Sequence, residues 1–258
     1  VLGMGDGFLY TVAPAITPSL SGAATKVYDA SVAAPAGSLV LSGAGAIDGD
    51  TVILSAAGAT YDTRNVSAGK AVTANGISVT ASNGAATVYG YQLSSSTASA
   101  NIGEITPATL TYTANAAGRE RGDPNPAFSG VVTGFVGGET LATATTGTLA
   151  FNSPANQATL EGQYAINGGG LIANAGNYVF VQAPANASAL TVTAPVNFSW
   201  VATTGGAWES GTNWNNGFAP VDGAVVTIPD LPGSATITYS SGTTNVKTMN
   251  SFAVLTIS

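Results

Sequence analysis

Along this chain apolar and polar residues change places every second position in short runs, and glycine, asparagine and proline cut the runs apart. "TLTYT" at residues 109–113 is one such run. A period of two places alternate side chains on opposite faces, as a half-buried strand requires. Threonine and valine fill these runs and favour pleated backbone, whereas the strong helix formers Glu, Lys, Arg, Gln and Met are scarce. Strand and turn are therefore expected almost throughout. In "GAIDGDTVIL" a Gly-Asp turn precedes Val52, Ile53 and Leu54, which predicts a hairpin entering a buried strand. Farther along, Phe128, Val132, Phe135, Leu141 and Phe151 are the predicted core.

The punctuation itself repeats. "AITPSLSG" at 15–22 and "EITPATLT" at 104–111 share a strand-then-proline form with "LTVTAPVN" at 190–197. Each follows a strand that contains a tyrosine, namely Tyr10, Tyr91 and Tyr178, which points to core or corner positions. The interval of roughly ninety residues suits a small sandwich module of about seven strands. Proline donates nothing to a sheet ladder and restricts its predecessor, so an Ile-Thr-Pro step lets one module stop before the next begins. Short proline-marked junctions also limit bending, and a stiff extended rod is expected. The boundaries read as 1–13, the end of a preceding module; 14–104 and 105–194, two β modules; and 195–258, which carries all three tryptophans.

Two stretches carry a resemblance. "KVYDAS" with "NVSAGKAVT" resembles the YDG module of bacterial haemagglutinins and adhesins, although Ala30 stands where that family usually has glycine. The ordered marks in "LTYTANAAGRERGDPNPAFSGVVTGFVGGETLATATTGTLAF", "GQYAINGGGLIANAGNYVF" and "NASALTVT" resemble the glycine-rich MBG module. Together they cover most of residues 14–194. The resemblance implies a passenger segment of a secreted adhesin, similar to filamentous-haemagglutinin-like proteins exported by two-partner secretion. It also implies an outer-membrane transporter as the export partner, a bacterial cell-surface location, and a role in adhesion or biofilm formation. From Phe198 onward the pattern "W...G.W..G.NW..G..P...D.V.I" resembles the opening of β-solenoid passengers. The expected fold is all-β: tandem small β-sandwich modules, Ig-like or β-grasp-like, followed by the start of a β-solenoid.

Charge and composition narrow the chemistry. Of 258 residues only 7% are charged, the net charge is −7, and there is no cysteine and no histidine. Disulfides, thiolate chemistry and the commonest neutral-pH base are excluded. An acidic chain with six scattered Lys and Arg does not attract nucleic acid or anionic membrane. No apolar stretch approaches the roughly 20 residues of a membrane span, and "VLGMGDGFLYTV" lacks a signal peptide's basic head, so the chain is expected to be an internal or mature piece, monomeric and not membrane-inserted. No catalytic residue, metal or cofactor is expected, and the chain is not expected to be an enzyme.

Three motifs invite a binding role. Arg121, Gly122 and Asp123 spell the tripeptide that animal integrins read, but in the MBG resemblance they fall on a Gly-Asp-x-Asn-Pro turn with its own mechanics. The turn reading is preferred, and the loop is expected to be exposed. Trp200, Trp208 and Trp214 present rings that suit stacking on exopolysaccharide, yet covering an open solenoid end is the preferred reading. Asp48-Gly49-Asp50 is a weak calcium signal, short of a full loop. The leading expectation is a structural stalk segment; the alternative is a binding module for matrix polysaccharide through the tryptophans, or for a host-cell integrin through Arg121–Asp123.

Overall fold

A computed structural model describes residues 13–47, 49–84, 88, 90–233 and 235–257. The expected end of a preceding module and Tyr10 lie outside the described residues apart from Ala13, as does Asp48. The fold is all-β. Among the described residues, helix is confined to the four-residue Leu141–Ala144 and three single turns of 3-10 type. Two compact units form. One comprises the described part of the chain up to Leu110 with Gly134–Thr146 and Ile172–Val179; the other comprises Thr111–Thr133, Gly147–Leu171 and the chain from Phe180 onward.

In the first unit a four-stranded sheet runs in the order Ala24–Val27, Ala98–Thr106, Ser67–Asn75, Gly58–Tyr61. The outer pair Ala24–Val27 and Ala98–Thr106 is parallel and the other pairings are antiparallel. Alternation does what the sequence demands: Lys70, Val72 and Ala74 point inward from Ser67–Asn75, while their neighbours stay partly exposed. Tyr61, Val72 and Ile105 share that buried side, and Ile16, Leu20 and Ala24 extend the unit's buried set. The buried Lys70 is paired, with Nζ 2.9 Å from Asp62 Oδ1 and 2.7 Å from Thr63 Oγ1.

The predicted Gly-Asp hairpin takes another form. Leu39–Ala44 pairs with Ala15–Gly22, whereas Thr51–Ser55 pairs with Ser78–Ser82, so the turn between them joins two different sheets. Thr51–Ser55 alternates half-buried and exposed, and Ile53 is 59% exposed, which makes it a half-covered strand and not a buried one. An apolar triplet cannot be buried throughout on a pleated strand that has cover on one side only.

In the second unit Leu190–Thr193 lies between Ala117–Glu120, parallel to it, and Gly162–Tyr164, antiparallel. Thr111 to Ala114 pairs antiparallel with Gly130–Thr133. Tyr112, Phe151, Ile166, Leu190 and Val192 are the buried core, and Phe128 and Val132 pack against it in part. Tyr112 stacks on Phe180 at 5.2 Å and meets the edge of Phe151 at 6.3 Å. Asn186 is 1% exposed and satisfies its amide on the backbone: Nδ2 donates to Tyr112 O and Oδ1 accepts from Ala114 N. Of the five residues expected in the core, Phe135 and Leu141 differ: Phe135 lies in the first unit, half-buried at the edge of Tyr178, and Leu141 is in that unit too. Leu141 opens the short helix and is 38% exposed.

Past Pro195, still in the second unit, pairing changes character. Asn197–Ser199, Val225–Ile228 and Thr248–Ser251 stack in parallel, as do Gly206–Ala207, Thr236–Tyr239 and Val254–Ile257. Parallel neighbours cannot be joined by tight hairpins, so each needs a long connection. Those connections carry the tryptophans and the Gly- and Asn-rich turns.

Candidate functional site

The strand Ala117–Glu120 delivers the chain into the Arg-Gly-Asp turn. Arg119 anchors it from inside. Its Nε donates to Asn125 Oδ1 at 2.7 Å, Nη1 to Glu120 O at 3.0 Å, and Nη2 to Asn156 O. Asn125 in turn donates to Ala155 O at 2.6 Å. Arg119 is 8% exposed, so the basic flank expected to lie in solvent is partly a buried hub. A planar guanidinium with five donors suits that task where a lysine would not.

Arg121 turns to different partners. Its guanidinium carbon lies 3.7 Å from the centre of the Phe218 ring, and Nη1 is 3.5 Å from Glu161 Oε1. The buried Nε has no hydrogen-bond partner among the described residues, as befits a group lying over a ring face. The backbone is fixed as well: Arg121 N donates to Thr193 O and Gly122 N to Gln157 O, at 2.9 and 3.0 Å. Gly122 sits at φ +95°, a conformation that glycine adopts freely. Asp123 and Pro124 are exposed at the apex. Of the tripeptide, the carboxylate faces solvent while the arginine is engaged.

The tryptophans converge. Trp214 meets the edges of Trp200 at 5.0 Å, Trp208 at 4.7 Å and Phe198 at 6.3 Å. Trp214 Nε1 donates to Trp208 O at 2.7 Å and Trp200 Nε1 to Thr204 O at 3.3 Å. Each tryptophan is 2% exposed, buried against its neighbours. Beside them a cleft of about 290 Å³ is lined by Trp208, Tyr239, Val246, Met249 and Leu255 together with Gly242, Thr243, Thr244 and Asn245. Among the described residues no carboxylate lines it.

The remaining candidates are likewise committed. Asp50 accepts from Asn83 Nδ2 at 2.7 Å and from the Tyr91 hydroxyl, which also accepts from Ile47 N. Among the described residues no group of three His, Cys, Asp or Glu side chains gathers to hold a metal ion. Nor does any described helix have the length and apolarity to cross a membrane.

One cluster escaped the sequence reading. Glu139, 13% exposed at its side chain, accepts from the Tyr28 hydroxyl at 2.9 Å and the Tyr178 hydroxyl at 2.7 Å, with Arg64 Nη2 at 3.5 Å. The tyrosine rings meet edge to face at 5.4 Å. Burial, then the hydrogen bond and charge of Glu139, pushes the Tyr28 hydroxyl up to about 12; burial raises Tyr178 as well. The Tyr-Asp pair and the Gly-Gly-Glu were both visible in the sequence. Their meeting across 111 residues was not.

Comparison with known families agrees with the sequence marks. The family model of the YDG domain matches residues 12–98, and that of the MBG domain (YGX type) matches residues 110–188. No curated protein and no solved structure matches the chain. The chain is therefore a YDG/MBG module protein, with one module of each type in that order.

Proposed function

We propose that this chain is a structural stalk segment of a secreted bacterial surface adhesin, extending a distal binding region for adhesion or biofilm formation and performing no catalysis. The observation that carries the reading is the engagement of the candidate recognition side chains other than the exposed Asp123 in internal packing. Arg121 lies on Phe218, the three indoles are buried against one another, and Asp50 is bound by Tyr91 and Asn83. A surface that recognises a ligand needs anchors free to enter a pocket or receive a partner. Two family matches in tandem support a repetitive architecture.

The sequence after Pro195 fits the same reading as the start of a β-solenoid. Its two parallel stacks repeat strand over strand, with inward Phe198, Val226 and Ile237 buried and outward Thr248 and Asn250 exposed. Absence of cysteine suits a chain threaded unfolded through an outer-membrane transporter and folded on the far side.

The test is adhesion of the isolated 258-residue chain to integrin-bearing host cells and to immobilised biofilm polysaccharide, beside an Asp123→Glu variant. A stalk segment gives background binding on both surfaces. Saturable binding to polysaccharide, or cell binding lost in Asp123→Glu, overturns the proposal.

A further inference from the structure

We infer that residues 134–146 and 172–179 of the MBG-matched span fold as one cooperative unit with the YDG-matched segment, across the boundary between the two family matches. The matched spans end at residue 98 and resume at 110, which suggests two beads on a string. The compact first unit is drawn otherwise. It takes in Gly134–Thr146 and Ile172–Val179 from the MBG-matched span.

Three contacts within that unit carry the inference. The first is the shared acceptor: Glu139 receives one hydroxyl from each span, Tyr28 from the YDG side and Tyr178 from the MBG side, one on each carboxylate oxygen. Both tyrosines are nearly fully buried, and Val136 N donates to the Tyr178 hydroxyl, so the clamp is closed by backbone as well. A carboxylate bridging two buried hydroxyls gives charge-assisted bonds, and removing it strands both donors at once. Arg64, half-exposed, balances the charge from outside.

The second contact is independent of charge. Asn177, 6% exposed, donates through Nδ2 to Asn65 Oδ1 at 3.1 Å and accepts at Oδ1 from Val66 N at 2.9 Å. A side-chain amide here supplies what a neighbouring strand otherwise would. The third is steric. Gly137, at φ +59°, lies so close to Ala30 that an added Cβ would stand 2.5 Å from Ala30 Cβ and 3.1 Å from Asp29 O. Ala30 is itself at φ +64°, the left-handed region in which a glycine rests without strain. The Tyr-Asp-Ala turn and the Gly-Gly-Glu turn are thus shaped to each other.

This inference stands apart from the stalk proposal, since it concerns how the chain unfolds and not what it is for. Hydrogen exchange on the full chain tests it, comparing peptides from 58–75 with peptides from 134–146 and 172–179. A single cooperative unit opens in all three together, and Glu139→Ala raises the opening of all three by about tenfold or more. Because that variant leaves two orphaned hydroxyls, the milder cycle of Tyr28→Phe with Tyr178→Phe serves as the second measurement. The two changes share one acceptor and are expected to be non-additive by roughly fivefold in the unfolding equilibrium constant. Opening of 134–146 and 172–179 well before 58–75 in the parent chain overturns the inference, as does additivity within about twofold.

Discussion

Around Glu139 two tyrosines and an arginine converge on one carboxylate; around Trp214 two further indoles and a phenylalanine converge on a ring. The first ties together residues 111 positions apart, the second gathers rings from one short stretch of chain, and their chemistry is opposite. The polar knot is directional and sensitive to protonation, and its strength comes from donors that have nowhere else to go. The aromatic knot has no titrating ring at its centre and draws on buried area. The difference follows from the backbone beneath. In the first unit the antiparallel and mixed sheets leave loops that meet through single hydrogen bonds; after Pro195 the strands pair in parallel, and the long connections between them carry the large rings of one buried cluster.

Replacing the centre of the aromatic knot has the largest expected effect. Trp214→Ala removes a ring with three edge-to-face partners and should cost about 3 to 5 kcal/mol. All three tryptophans lie between residues 200 and 214, so their fluorescence reports this region alone in a denaturant titration. A loss below about 1 kcal/mol would mean that the cluster is loosely packed and the contrast overdrawn.

Alkali discriminates between the two knots. Tyr28 titrates near 10 in an unfolded chain and at about 12 when folded, so its neutral hydroxyl contributes stability that is complete below pH 10 and disappears as pH rises toward 12. The loss is on the order of 2 kcal/mol. Tyr61 and Tyr178, raised chiefly by burial, add to it in the same direction. Denaturant midpoints measured across that window should fall for the first unit before tryptophan fluorescence changes; simultaneous loss would show that the aromatic region depends on the same titration.

Phe218→Ala tests the hold on Arg121. Loss of the ring beneath the guanidinium and beside Phe198 should cost about 1 to 2 kcal/mol. Arg121→Lys, which keeps the charge but loses the planar stack, should cost roughly half as much. Equal effects in thermal unfolding would shift the credit from stacking to the Glu161 pair. The smallest change runs the other way. Ala30→Gly relieves a left-handed alanine and should stabilise the first unit by a few tenths to about 1 kcal/mol, read as a rise in midpoint. It should also soften the penalty of Gly137→Ala, since the clashing methyl is gone.

Much of this architecture was legible locally. The period-two runs became strands, the Gly-Asp-x-Asn-Pro turn formed with Gly122 left-handed, and the parallel stacks begin where the tryptophan pattern begins. What escaped depended on partners. Val52 to Leu54 reads as a buried triplet until one sees that Thr51–Ser55 has cover on one side, and Leu141 reads as core until a short helix turns it outward. Arg119 and Arg121 are alike in sequence, two residues apart; one became a buried hub and the other a lid on Phe218.

The sequence by itself determined the all-β class, the two kinds of module and the exclusion of thiol and imidazole chemistry, because each follows from residue types and their spacing along the chain. Only the tertiary structure decided that Glu139 joins Tyr28 to Tyr178 and that Arg121 is engaged while Asp123 is exposed. Those outcomes turn on which side chains distant strands bring within about 3 to 4 Å of one another, a distance that hydrogen bonds and ring contacts require and that no local pattern encodes.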